Sequence, residues 1–206
     1  MLDNREGIKN VVFDFGVVLI DLDFQCCVDN FHRLGWKGFE TELGISLKQG
    51  FLQKFELGLI EPSDFRESIR KAIGPQVGDD DIDACWNSFL VGVPQSKLDM
   101  LLNLRQRFNV YLLSNTNSIH WDWSVKNVFN QNGHNIDDYF DGIFLSFVEH
   151  LAKPDKQIFQ RVIDSTGIKP EETLFIDDLQ QNCDTAAAMK FNTYKAEAHE
   201  DLQHLF

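Results

Sequence analysis

The stretch Val11-Val12-Phe13-Asp14-Phe15-Gly16-Val17-Val18-Leu19-Ile20 decides the fold. β-Branched and aromatic residues run through it with one polar interruption, Asp14. Such a run predicts a strand buried on both faces, as in a parallel sheet. Shorter runs of the same kind follow at 110–113, 142–145 and 173–176, with a weaker one at 193–195. Helical patterns lie between them. Leu98, Leu101, Leu102 and Leu104 mark a helix over 96–108, and Ile158, Phe159, Val162 and Ile163 mark one over 155–165. A small, Ala-rich helix covers 185–189, and Gly167 stands where a left-handed residue ends a helix. Strand alternating with helix over 90–200 predicts an α/β, Rossmann-like core of roughly five parallel strands with helices on both faces.

The stretch between the first strand and residue 93 reads differently. It has almost no β-branched runs, and Phe51 with Phe55, then Phe65 with Ile69, are four apart, as on helices. Gly58, Pro62, Gly74 and Pro75 punctuate it. The expected division is therefore a core from 1–21 and 94–206, with a helical insertion over 22–93. The aromatic residues of the insertion are read as its own packing, and Asp79-Asp80-Asp81 as a solvated turn and helix cap.

Composition narrows the function. The 206 residues carry 19 Lys+Arg against 32 Asp+Glu, a formal charge of −13. That balance argues against nucleic acid and against an anionic membrane surface as partners. No apolar run approaches the roughly 20 residues of a membrane span, and no secretory signal is visible. Cys26, Cys27, Cys85 and Cys183 lack metal or redox spacing, so free thiols in a reducing, cytoplasmic setting are expected. The sequence leaves the oligomeric state open.

The chemistry lies where polar residues follow the strands. In an open parallel sheet, ligands bind beyond the carboxyl ends of the strands. Asp14 ends the first strand, Ser114 and Asn115 end the second, and Asp177 and Asp178 end the 173–176 run. Three carboxylates meeting at one edge repel unless a cation sits among them, and an all-oxygen donor set favours Mg²⁺. Lys153-Pro154 adds a positive charge, with Pro154 expected at the first helical position and the helix N-terminus facing the same cleft. A carboxylate nucleophile, a divalent cation, a lysine and a hydroxyl donor suit phosphoryl transfer through an aspartyl-phosphate.

These four motifs, in this order, resemble the haloacid dehalogenase superfamily over nearly the whole chain. Phe13-Asp14-Phe15-Gly16-Val17-Val18-Leu19 is similar to its first motif, Leu112-Leu113-Ser114-Asn115-Thr116-Asn117 to its second, Lys153-Pro154 to its third, and Phe175-Ile176-Asp177-Asp178-Leu179-Gln180-Gln181-Asn182 to its fourth. The insertion resembles the family's type-one cap. Asp21-Leu22-Asp23-Phe24, Phe55-Glu56-Leu57-Gly58-Leu59-Ile60 and Ser114-Asn115-Thr116-Asn117-Ser118-Ile119-His120 resemble a narrower group. That group holds bacterial α-D-glucose-1-phosphate phosphatases and relatives of the phosphatase domain of epoxide hydrolases. The resemblance implies a Mg²⁺-dependent phosphatase of a small phosphorylated metabolite, with a sugar phosphate favoured. It makes Asp14 the nucleophile and a metal ligand, with the Gly16 carbonyl, Asp178 and Asp177 (directly or through water) as further ligands. Ser114, the Asn115 amide and Lys153 would hold the phosphoryl oxygens, and Asn182, four residues after Asp178, sits where relatives often keep a polar residue just behind the direct contacts.

One departure bears on mechanism. Typical phosphatases of the family carry a second aspartate two residues after the nucleophile, which protonates the leaving oxygen and activates water; here that position is Gly16. The narrower group that the chain resembles also lacks this aspartate yet includes phosphatases, so that another group or water supplies the proton there. An acid–base group contributes about 10²–10⁴-fold. Asp21, Asp23, His32 and His120 are the candidates to replace it. The alternative is a phosphate- or partner-binding module that has lost its chemistry. A dehalogenase needs no metal and leaves Asp177-Asp178 without a purpose, and a mutase is disfavoured by the same missing aspartate.

Overall fold

The computed structural model describes residues 7–41 and 50–206. Along the chain run β1 (Asn10–Phe13), β2 (Asp21–Leu22), α1 (Phe24–Arg33), α2 (Phe51–Glu56), α3 (Pro62–Ile73), α4 (Asp79–Asn87) and β3 (Leu90–Gly92). Then follow α5 (Gln95–Leu104), β4 (Asn109–Ser114), α6 (Ser118–Ser124), α7 (Ile136–Tyr139), β5 (Gly142–Leu145), α8 (Ser146–Glu149), α9 (Lys156–Thr166), β6 (Thr173–Asp177), α10 (Gln180–Ala188) and β7 (Asn192–Lys195).

Five strands form one sheet in the order β5-β4-β1-β6-β7, with every pairing parallel. β1 sits at the centre, Phe13 opposite Leu112 on one side and Ile176 on the other. Its unbroken apolar run follows from burial on both faces. Val11 and Phe13 pack with Val110, Leu112, Leu174 and Ile176 against α5, whereas Val12 packs with Leu113 and Phe175 against Ile158, Phe159 and Val162 of α9 and Ala186 of α10. The α/β fold with a parallel sheet and helices on both faces is the one expected.

Three local expectations change. The first strand stops at Phe13, because the sheet edge ends there: the Asp14 amide makes the last bond, to Ile176 O at 2.8 Å. The chain then folds back, with Leu19 and Ile20 both donating to Phe15 O and Val17 held at φ +65°. That is a costly conformation for a β-branched residue. The apolar residues after Asp14 are thus a buried turn, with Val18, Leu19 and Ile20 no more than 1% exposed. Pro154 is not the first helical residue; α9 begins at Lys156 with Asp155 as its cap, the carboxylate accepting from Gln157 N. Asp79–Asp81 are the first turn of α4, where acidic groups favour the helix dipole, and Arg70 pairs with Asp79.

The described helices between β2 and β3 share a core of Phe31, Phe39, Leu52, Phe55, Phe65, Ile69, Ile82 and Trp86. Phe55 and Phe65 stack at 4.5 Å. Pro62 starts α3 beside a reciprocal Glu61–Asp64 cap, and Gly74 ends it at φ +109°. Ile119 of α6 belongs to the same core, so the insertion is packed onto the sheet-bearing part and not merely tethered to it. β2 and β3 pair antiparallel with each other, side by side where the chain leaves and rejoins the sheet-bearing part. Among the described residues, no helix is long and apolar enough to cross a membrane.

Candidate active site

The carboxyl edge of the sheet gathers the residues that the motifs singled out. Asp14 follows β1, Ser114 ends β4, and Asp177 ends β6 with Asp178 directly after it. Parallel pairing of three adjacent strands brings these ends together. Carboxylate oxygens of Asp14, Asp177 and Asp178 all lie within 4.8 Å of one another.

Lys153 reaches in from the β5–α9 connection. Its Nζ is 2.7 Å from Asp14 Oδ1 and 2.7 Å from Asp177 Oδ2, and its side chain is 1% exposed. The second Asp177 oxygen accepts from Leu179 N and Asn182 Nδ2, each at 2.9 Å. Asp177 is thereby held at both oxygens. Asp14 Oδ1 also accepts from Phe15 N at 2.7 Å.

Electrostatics follow from this crowding. Burial pushes the Asp14 carboxyl up to about 7, with Asp177 adding to the push and Lys153 opposing it. Burial and Asp177 likewise raise half-buried Asp178. For Lys153, burial disfavours the ammonium, but Asp14 and Asp177 outweigh it and the pKa stands above its ordinary value. Three carboxylates facing one ammonium leave two negative charges uncompensated. A proton on Asp14 relieves part of that excess, and a divalent cation relieves all of it. The donors are hard oxygens, with no His or Cys in the cluster, which fits Mg²⁺ and not zinc.

The loop side chains are tied to each other. Asn115 Nδ2 donates to Lys153 O, and Lys153 N donates to Asn115 Oδ1, each at 2.9 Å. This fixes the β4 and β5–α9 connections together. Ser114 is 1% exposed. The Gly16 carbonyl accepts from Val18 N at 2.6 Å, which leaves one lone pair.

A cavity of about 190 Å³ opens from this edge toward the insertion. It meets the edge at Phe15, Gly16, Ser114 and Asn115, and its far wall includes Glu56, Trp86 and Phe89. Of the four candidates for a proton donor, only His120 lines it. Asp23 caps α1 through Cys26 N, His32 pairs with Glu40, and Asp21 lies 3.1 Å from His199. His120 has both ring nitrogens engaged, Nε2 with Trp86 O at 3.0 Å and Nδ1 with Asn117 Nδ2 at 3.2 Å. Burial drives its pKa down to about 4. It is a neutral wall residue stacked on Trp86 at 4.6 Å.

Two residues of the site escaped the sequence reading. Ser146, fully buried, accepts from Thr116 N at 2.9 Å and donates to Glu56 O at 2.6 Å, bridging the sheet edge to the insertion. Glu56 stands in a stretch quoted above for its resemblance, yet nothing local marks it as lining a cavity.

The chain as a whole is similar to known proteins. The model of the haloacid dehalogenase-like hydrolases matches residues 8–190. D-ribitol-5-phosphate phosphatase of Bacteroides thetaiotaomicron is 34% identical over 194 residues, covering 94% of each chain. A HAD family enzyme of the same organism, solved with magnesium and inorganic phosphate, superposes with a TM-score of 0.93 at 46% identity, over 97% of this chain and 100% of that one. A predicted HAD-like family hydrolase from Porphyromonas gingivalis superposes at 0.89 with 32% identity, over 97% and 96%.

Proposed function

The chain belongs to the haloacid dehalogenase-like hydrolases and is a Mg²⁺-using phosphoric monoester hydrolase of that family; we propose that it cleaves small sugar or sugar-alcohol phosphates through a phosphoryl group carried on Asp14. The observation that carries the mechanism is the Lys153 ammonium, 2.7 Å from both Asp14 and Asp177, with Asp178 in the same cluster. We take 22–93 as the cap over a core formed by 1–21 and 94–206.

Asp14, Asp178 and the free lone pair of the Gly16 carbonyl would hold Mg²⁺, with Asp177 directly or through water. When bound, the ion screens the phosphate charge so that an anionic nucleophile can approach it. The other parts belong to the chain. Lys153 favours the ionised form of Asp14 against its burial, and orients it. Ser114, the Asn115 amide and the Lys153 ammonium bind the phosphoryl oxygens, and Asn182 with Leu179 N holds Asp177 in place. Asp14 attacks phosphorus, the ester oxygen leaves, and water then releases phosphate from Asp14. The substrate's carbon skeleton would lie in the cavity against Phe15, Trp86 and Phe89. The polyol phosphate cleaved by the 34% identical relative supports that class.

The test is hydrolysis of a panel of phosphorylated sugars, polyols and aryl esters with Mg²⁺, repeated with chelator and with Asp14→Asn. Turnover is expected to fall at least about 10⁴-fold in the variant, the scale on which an essential nucleophile acts. Binding of Mg²⁺ and phosphate without turnover of any ester leaves the binding-module alternative instead.

A further inference from the structure

An alkyl phosphate releases its alcohol slowly without a proton donor, and the groups of the sheet edge already have other roles. Asp14 is the nucleophile, Asp178 is taken up as a metal ligand in the proposed mechanism, Asp177 is hydrogen-bonded at both oxygens, and Lys153 pairs with Asp14 and Asp177 and faces the phosphoryl oxygens. A further proton donor can stand on the cavity side. Resting on the phosphatase reading above, we propose that Glu56, from the insertion, is the acid–base residue of the reaction.

Placement argues for it. Glu56 lines the cavity that reaches the edge at Gly16 and Ser114, and it carries the only carboxyl group among the lining residues. Cys27 and His120 are the other titratable groups there; burial holds the Cys27 thiol up at about 12, and His120 has no free nitrogen. Among the described residues, none donates a hydrogen bond to the Glu56 carboxyl or pairs with it, so it is available to a substrate.

The backbone at Glu56 is held by the sheet-bearing part as well as by its own helix. Ser146 Oγ donates to Glu56 O, and His150 Nδ1 lies 2.8 Å from Leu57 O. Gly58 follows at φ +62°, with Phe147 O packed where a side chain would begin. A backbone held in this way limits where the carboxyl can reach. Burial also raises the Glu56 pKa to about 7, so both protonation states are populated near neutrality, as acid–base work requires.

The step balances. Asp14 forms a bond to phosphorus while the P–O bond to the alcohol breaks, and the leaving oxygen takes the Glu56 proton. The Glu56 carboxylate then takes a proton from water. That oxygen bonds to phosphorus, the Asp14–P bond breaks, and inorganic phosphate leaves with Glu56 reprotonated.

Glu56→Gln tests this, with circular dichroism and Tm to show that it folds. The substrates are an alkyl phosphate without further hydroxyls and nitrophenyl phosphate, whose leaving group departs without a proton. For the alkyl ester kcat/KM is expected to fall about 10²–10⁴-fold, whereas for the aryl ester it changes less than about tenfold. Gly16→Asp in the Glu56→Gln background is expected to recover the alkyl ester by at least about tenfold. A Cβ at Gly16 meets only Leu22 Cδ1, at 3.4 Å, an ordinary contact. Equal losses on both esters, no loss, or failure of the Gly16→Asp rescue overturns the assignment. Wild-type protein that hydrolyses neither ester, or Asp14→Asn that hydrolyses both, overturns the phosphatase reading itself.

Discussion

Lys153 concentrates the electrostatics of the site in one ammonium shared by two buried carboxylates. Removing one partner of a buried charge group costs about 3–5 kcal/mol, because the remaining charges stay buried without compensation. Lys153→Ala is expected to lose stability on that scale in urea unfolding with chelator present, and less with Mg²⁺, which replaces part of the missing charge. Glu56 gives a second expectation, with a definite sign. Its carboxyl titrates near 4.5 when unfolded and at about 7 when folded. Between those values the folded chain holds a proton that the unfolded chain has released, so stability is full below the window and falls as pH rises through it. Glu56→Gln removes that fall, so its Tm relative to wild type is expected to climb across the window and level off above it. Asp14, Ser114, Lys153, Asp177 and Asp178 were all legible in the sequence, because each follows a recognisable strand or precedes a helix. Glu56 was not, because a glutamate at the end of a helix looks the same in solvent and in a cavity until the fold supplies the opposite wall.

At the scale of elements, the sheet was readable because burial on both faces leaves an unbroken apolar run, which few other environments demand. The same signal misled at its end. Apolar character continues past Asp14, but pairing does not, since β1 has partners only as far as Phe13. β2 and β3 were invisible for a different reason: two or three residues are too few to show a period. The turn after α2 is a sharper case. Gly58 was read as a break, and it is one, but its φ of +62° and the packing of Phe147 O also make it the only residue type that fits. Gly58→Ala is expected to cost about 1–3 kcal/mol through backbone strain. It is also expected to shift Glu56, lowering kcat/KM for an alkyl phosphate more than for an aryl one. Denaturant unfolding and the two-substrate assay check both halves.

Across the whole molecule, the insertion is joined to the sheet-bearing part by contacts on two sides. Trp86 of α4 meets Asn117 and His120 around α6, and the end of α2 meets Ser146 and His150 around α8. Ser146 serves both parts at once. Ser146→Ala leaves the buried Thr116 N–H without its acceptor, a defect of about 1–3 kcal/mol. A lower Tm is expected, together with a lower kcat/KM for alkyl esters, because Glu56 loses its tie to the edge. A Tm unchanged from wild type would remove Ser146 from this account. Sequence periodicity marked Phe51 with Phe55 and Phe65 with Ile69, which fall on α2 and α3, but long-range coupling of this kind has no local signature.

In the pairing of β2 with β3, Asp21 faces Gly92 and Leu22 faces Leu90, so the two connections that carry the insertion are laced together at its root. Whatever length of chain lies beyond that lacing, its two ends emerge at the same spacing. The stretch between can therefore change in length or packing without moving the points at which the chain leaves and rejoins the sheet-bearing part.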